Sequence, residues 1–142
     1  MSFVEASDPD DPLAAREQEV MAGLAEGETD EPLTVRLLQR DGTPVIQLQG
    51  ELDMYTAGLF RARLEEALAG RPPALVVDLS GAAYVDSSGL AILLRAAGQL
   101  PGRLHVVSPK ERITRLFQAT GLTNRMKLHR SLPEALLHVA MG

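Results

Sequence analysis

The chain has 142 residues, 45% of them hydrophobic, which is enough for one domain of ordinary size with a real core. It has no cysteine, so disulfides and thiolate metal sites are excluded, and its longest apolar run, Leu90-Ala91-Ile92-Leu93-Leu94, is far short of the roughly 18 residues a membrane span needs. The net charge of −5 is uneven: before Leu33 ten acids face Arg16 alone, a net −9, so the remainder carries +4 without a Lys/Arg cluster and gives no footprint for direct nucleic-acid binding.

Residues 1–32 read as an acidic N-terminal extension, largely flexible, ahead of a domain over 33–142. Asp8-Pro9-Asp10-Asp11-Pro12 and the stretch from Gly27 to Pro32 are turn-rich and acidic. Between them, Leu13 to Glu26 has the spacing of a marginal helix, with Leu13, Val20, Met21 and Leu24 on one side and Glu17 breaking the stripe. No basic segment followed by an apolar stretch opens the chain, so no signal peptide is expected and a soluble cytoplasmic protein is the default.

From Leu33 the pattern changes. Leu33, Val35 and Leu37 alternate with polar residues, Asp41-Gly42 supplies a turn, and Val45 to Gln49 alternates again, which predicts a β-hairpin. Thr56 to Gly70 is predicted helical, with Ala57, Phe60, Leu64, Ala67 and Leu68 on one face and Arg61 placed to pair with Glu65. Ala74 to Leu79 is a continuous apolar run, as in a central strand covered on both faces. A helix over 88–99 follows, then a short strand from Leu104 to Val107. Ser108-Pro109-Lys110-Glu111 has the form of a capping box opening a helix that faces Ile113, Leu116 and Phe117 inward and ends at Gly121. Met126 to His129 is a candidate edge strand, and Ser131-Leu132-Pro133-Glu134 is a second capping box before a last helix. Strands alternating with helices after a hairpin predict an α/β domain, with a mixed, mostly parallel sheet of about five strands and four helices.

Enzyme templates fail on this chain. His105, His129 and His138 are scattered in sequence with no carboxylate at ligand spacing, and they read as packed or solvated histidines rather than metal ligands. No glycine-rich phosphate loop is present. A serine-hydrolase elbow requires G-x-S-x-G, and Val85 stands where the first glycine belongs before Ser87.

One segment stands apart: Tyr84-Val85-Asp86-Ser87-Ser88-Gly89-Leu90, ahead of the second predicted helix. Two hydroxyls and a carboxylate sit where unpaired N–H groups and the helix dipole favour negative charge. Asp86 or Ser87 as a plain N-cap is one reading. Against it, no Glu or Gln follows at the third position, and a doubled serine exceeds what a cap needs.

These residues resemble the STAS domain, and in particular its anti-sigma-factor antagonists. The resemblance rests on Val76-Val77-Asp78-Leu79-Ser80, Tyr84 to Leu90, Gly50-Glu51-Leu52-Asp53 with Thr56-Ala57, and Arg115-Leu116-Phe117 with Thr120-Gly121-Leu122. It implies a non-catalytic switch without a cofactor, which binds an anti-sigma factor that is itself a serine kinase. That kinase would phosphorylate Ser87 and so release the complex, and a metal-dependent serine phosphatase would reset it. Asp53, Thr56, Asp86, Ser87, Ser88 and Gly89 would form the contact surface. The resemblance also allows a scaffold role, as an accessory subunit of a stress-signalling assembly or of a membrane lipid transporter.

Overall fold

The structure, a computed structural model, describes residues 32–142. The acidic extension up to Glu31, and with it the helix expected from Leu13 to Glu26, lies outside the described residues. Alternating apolar residues in β1 (Leu33–Arg40) and β2 (Thr43–Leu52) form an antiparallel hairpin running from Leu33 opposite Gly50 to Arg40 opposite Thr43. Its turn is Asp41-Gly42, both with positive φ (53° and 81°), the backbone that suits the twist of a two-residue hairpin. The remaining elements are α1 (Ala57–Ala69), β3 (Leu75–Val85), α2 (Ser87–Gln99), β4 (Leu104–Val107), α3 (Glu111–Ala119), a 3-10 turn (Leu122–Asn124), β5 (Lys127–His129) and α4 (Leu132–Met141).

The strands order β1-β2-β3-β4-β5 in one sheet, antiparallel only between β1 and β2. This is the expected α/β architecture of a mixed five-stranded sheet and four helices. Period-2 alternation sends Ile46, Leu48, Leu75, Val77, Leu104 and Val106 into one core with Phe60 and Leu64 of α1, Leu93 of α2 and Phe117 of α3. Leu38, Val45, Val76 and Val107 point the other way, against Ala135 of α4. Helices therefore cover both faces, and Leu75–Leu79 of β3 and the whole of β4 are buried on both sides.

Three local expectations are corrected. The third strand runs to Val85 rather than stopping at Leu79, because β2 shifts register twice beside it and keeps pace through Leu52 opposite Val85. Gly81 makes this possible: an added Cβ would lie 2.9 Å from the Leu48 carbonyl oxygen. The exposed Ser80, Gly81, Ala83 and Tyr84 hide the strand from a hydrophobic pattern. Second, the capping box at Ser108 does not form. The Ser108 N–H donates to the His129 carbonyl at 2.9 Å, which ties Ser108 to the sheet, its hydroxyl is buried without a partner among the described residues, and α3 starts at Glu111 after Lys110. Ser131 does cap its helix, its Oγ accepting from the Glu134 N–H at 3.2 Å, but the Glu134 carboxylate reaches back to the Arg130 N–H rather than to that of Ser131, so only the serine half of the box forms. Third, among the described residues Arg63 of α1 pairs with Glu66 at 3.0 Å, and the expected pair of Arg61 with Glu65 is not formed.

The three histidines, far apart in sequence, meet on the face that α4 covers. His105 Nδ1 and His129 Nε2 are 3.0 Å apart, and the rings of His129 and His138 have centroids 4.7 Å apart. Burial, then the neighbouring His129, pushes His105 down to about 4, and burial also lowers His129.

Candidate functional site

The site grows from the paired ends of β2 and β3. Leu52 lies opposite Val85, and the Asp86 N–H donates to the Leu52 carbonyl at 3.0 Å, so the turn leaving each strand is fixed beside the other. Residues at these ends sit at the carboxyl edge of the parallel strands, where loops carry function and the sheet supplies rigidity.

After β3 the chain turns into α2 at Asp86, whose Oδ1 accepts from the Ser88 N–H at 2.8 Å and more loosely from the Gly89 N–H at 3.4 Å. Asp86 is thus the N-cap, and Ser87 is the first helical residue, exposed. Nothing among the described residues accepts from or donates to the Ser87 hydroxyl. Ser88 is half-buried, and Gly89 is buried against Leu52 and Val85.

After β2 the chain makes a braced turn. The Asp53 carboxylate accepts from the N–H groups of Tyr55 and Thr56 at 2.9 and 3.1 Å. In return the Thr56 hydroxyl accepts from the Asp53 N–H at 2.9 Å and donates to the Glu51 carbonyl at 2.8 Å. Thr56 is only 3% exposed, so its side chain shapes the loop from within. What the loop turns outward is Met54 and Tyr55, 67% and 86% exposed, apolar side chains with no core to enter. Tyr84, near the end of β3, is also exposed and lines the same groove as Ser87.

A third wall comes from α3. Beyond Asp78, β3 has no partner on the β4 side, and its free carbonyls are taken by cations instead: Lys110 Nζ donates to the Ala82 oxygen and an Arg112 Nη to the Ala83 oxygen, each at 2.6 Å. This seats α3 across from the start of α2. An open groove of about 700 Å³ lies between them, with Tyr84, Ser87, Leu90 and Leu116 in its lining and Arg112 and Arg115 at its side.

The fold therefore gathers Asp53, Thr56, Asp86, Ser87, Ser88 and Gly89 at one end of two strands, in different capacities. Ser87 faces solvent, Asp53, Asp86 and Thr56 hold backbone, and Gly89 lets α2 approach Leu52. Sequence reasoning missed Met54, Tyr55 and Arg112, and carried Tyr84 and Arg115 only as parts of the motifs, without a place on the contact surface. The dipeptide Met54-Tyr55, apolar inside a turn, was the one available signal. Arg112 gave none, because its partner, the Ala83 carbonyl, lies beyond the point where β3 stops pairing with β4.

Among the described residues, no helix is long and apolar enough to cross a membrane. The sequence model of the STAS domain matches residues 34–135. The anti-sigma-F factor antagonist RsfB of Mycobacterium tuberculosis is 30% identical over 112 residues, covering 78% of this chain and 92% of that protein. A crystal structure of an anti-sigma factor antagonist from Mycobacterium paratuberculosis is 32% identical with a TM-score of 0.74, covering 79% of this chain and 97% of that one. The Bacillus cell fate determinant SpoIIAA in its phosphorylated form is 27% identical with a TM-score of 0.57, covering 75% of this chain and 99% of that one.

Proposed function

The chain belongs to the STAS domain family, and on that premise we propose that it is a non-catalytic antagonist of an anti-sigma factor, switched off by phosphorylation of Ser87. In this reading residues 33–142 are the working domain. The partner is an anti-sigma factor with serine-kinase activity, and a serine phosphatase restores the binding form. The names of the relatives support the antagonist role, and the phosphorylated form of SpoIIAA supports modification as a means of control.

The observation that carries the proposal is the position of Ser87. It is exposed at the first turn of α2, beside apolar Tyr84 and the groove along α3. A hydroxyl there reaches a kinase without any unfolding. Once phosphorylated, Ser87 gains about −1.5 to −2 charges and three strong acceptors. The amino end of a helix tolerates such a group, so the fold survives. The partner does not tolerate it, because the charge arrives next to the Asp86 carboxylate on a surface that had fitted while neutral. Like charge at a desolvated contact costs several kcal/mol, and each 1.4 is about tenfold in affinity.

The test is titration of the chain against its kinase, with and without ATP, followed by mass-spectrometric mapping. Ser87→Ala is expected to stay bound in ATP, and Ser87→Asp to bind weakly with the fold intact. Equal affinities for the two variants, or phosphate found on Ser88 or Thr120, would overturn the proposal.

A further inference from the structure

On the sheet face opposite α1 and α2, the end of β5 and the first turns of α4 bring together three groups that the switch does not use. His129 is the last residue of β5, and Glu134 and His138 stand four apart on α4, a ligand spacing that the expectation of merely packed or solvated histidines passed over, so both project from one side of the helix toward it. One donor atom from each of the three lies within 4.8 Å of the other two. We propose that His129, Glu134 and His138 bind a first-row divalent transition metal, zinc being the best fit.

Each ligand has a donor to give. His129 Nε2 is occupied by His105 Nδ1 at 3.0 Å, and its Nδ1 remains for a metal. That back-side hydrogen bond is the kind that fixes the ring of a ligating histidine and sets its tautomer. The Glu134 Oε1 accepts from the Arg130 N–H at 2.8 Å, which anchors the carboxylate at the head of α4 and leaves its second oxygen open. His138 is exposed, and no hydrogen bond to its ring is seen among the described residues.

Two imidazoles and one carboxylate suit zinc and its neighbours, whereas magnesium and calcium take oxygen alone. Donors about 2.0–2.2 Å from a tetrahedral zinc stand roughly 3.4 Å apart, so the three must close by a little over 1 Å. Glu134 and His138 are exposed and free to turn inward, while His129 is buried and stays. The fourth position is left to water. A metal here would bolt the start of α4 to the end of β5.

The experiment uses the full chain, stripped of metal and titrated with Zn²⁺ by calorimetry and with Co²⁺ by visible absorption. One equivalent is expected, with the intense cobalt bands of a tetrahedral site containing nitrogen ligands. The ten acids before Leu33 offer only oxygen, so cobalt held there would stay pale and octahedral. His138→Ala and Glu134→Gln each alter an exposed side chain, and a glutamine oxygen still accepts from the Arg130 N–H, so both variants fold. Each is expected to weaken zinc by about tenfold or more. A pale cobalt spectrum, or zinc affinity unchanged in both variants, would overturn the site. Neither outcome bears on Ser87.

Discussion

Gly89 lies within the switch segment, and the structure assigns it a steric duty whose size can be worked out. An alanine Cβ there would sit 2.5 Å from Leu52 Cδ2 and 2.6 Å from its Cγ, against an ordinary contact of about 3.5–4.0 Å. Leu52 has no exposed surface and its backbone is tied to Asp86, so it has nowhere to retreat. Either its rotamer breaks or α2 lifts by about 1 Å. Overpacking of this kind costs about 1–3 kcal/mol, and two atoms under 3 Å on a fully buried side chain place it at the upper end. Replacing a helical glycine returns up to about 1 kcal/mol. Gly89→Ala should therefore destabilise by about 2 kcal/mol, or roughly 10 °C in Tm for a domain of this size. Gly98, in the same helix, is the control. It is exposed with nothing within 4 Å of an added Cβ, so Gly98→Ala should gain about 0.5 kcal/mol. Thermal unfolding of both variants decides the matter. Gly89→Ala melting at or above the parent temperature would refute the argument that α2 is seated on Leu52. In the switch reading, the lifted helix also carries Ser87 away, so affinity for the anti-sigma factor should fall even though Gly89 is buried.

Ser108→Ala separates two accounts of one residue by sign. A capping serine would cost about 1 kcal/mol on removal, whereas the buried hydroxyl without a partner should be lost at no cost or with a small gain, as chemical denaturation will show. Thr56→Val keeps the shape but strips the hydroxyl that braces Asp53 and Glu51. It should destabilise by about 1–3 kcal/mol in the same assay, and a neutral result would return Thr56 to a purely contact role. Asp86→Asn retains an N-cap acceptor and should hold stability within about 0.5 kcal/mol, while Asp86→Ala loses about 1; equal melting temperatures would deny the cap.

The fold was legible because its signals are local. The Asp41-Gly42 turn, the alternation in Leu33–Leu37 and the apolar run through Leu79 each state their geometry within a few residues. Where the reading failed, the deciding partner lay far away in sequence. Ser108 has the same spacing to an acid as Ser131, yet only Ser131 caps a helix, because His129 claims the Ser108 backbone for the sheet. β3 runs past its apolar stretch because β2, some thirty residues earlier, is long enough to accompany it. The same nonlocality divides the candidate site. Asp86, Ser87 and Ser88 are consecutive, and their place at a helix start follows from the residues around them. The groove beside Ser87, however, is lined by Leu116 from another helix and by Arg112, which bonds a carbonyl of β3 beyond the reach of β4. A short motif can thus mark where a modification goes, while what surrounds it is decided by the relative lengths of the strands beneath. Lengthening β4 to cover Ala83 would free Arg112 and reshape the groove with every residue of the motif unchanged.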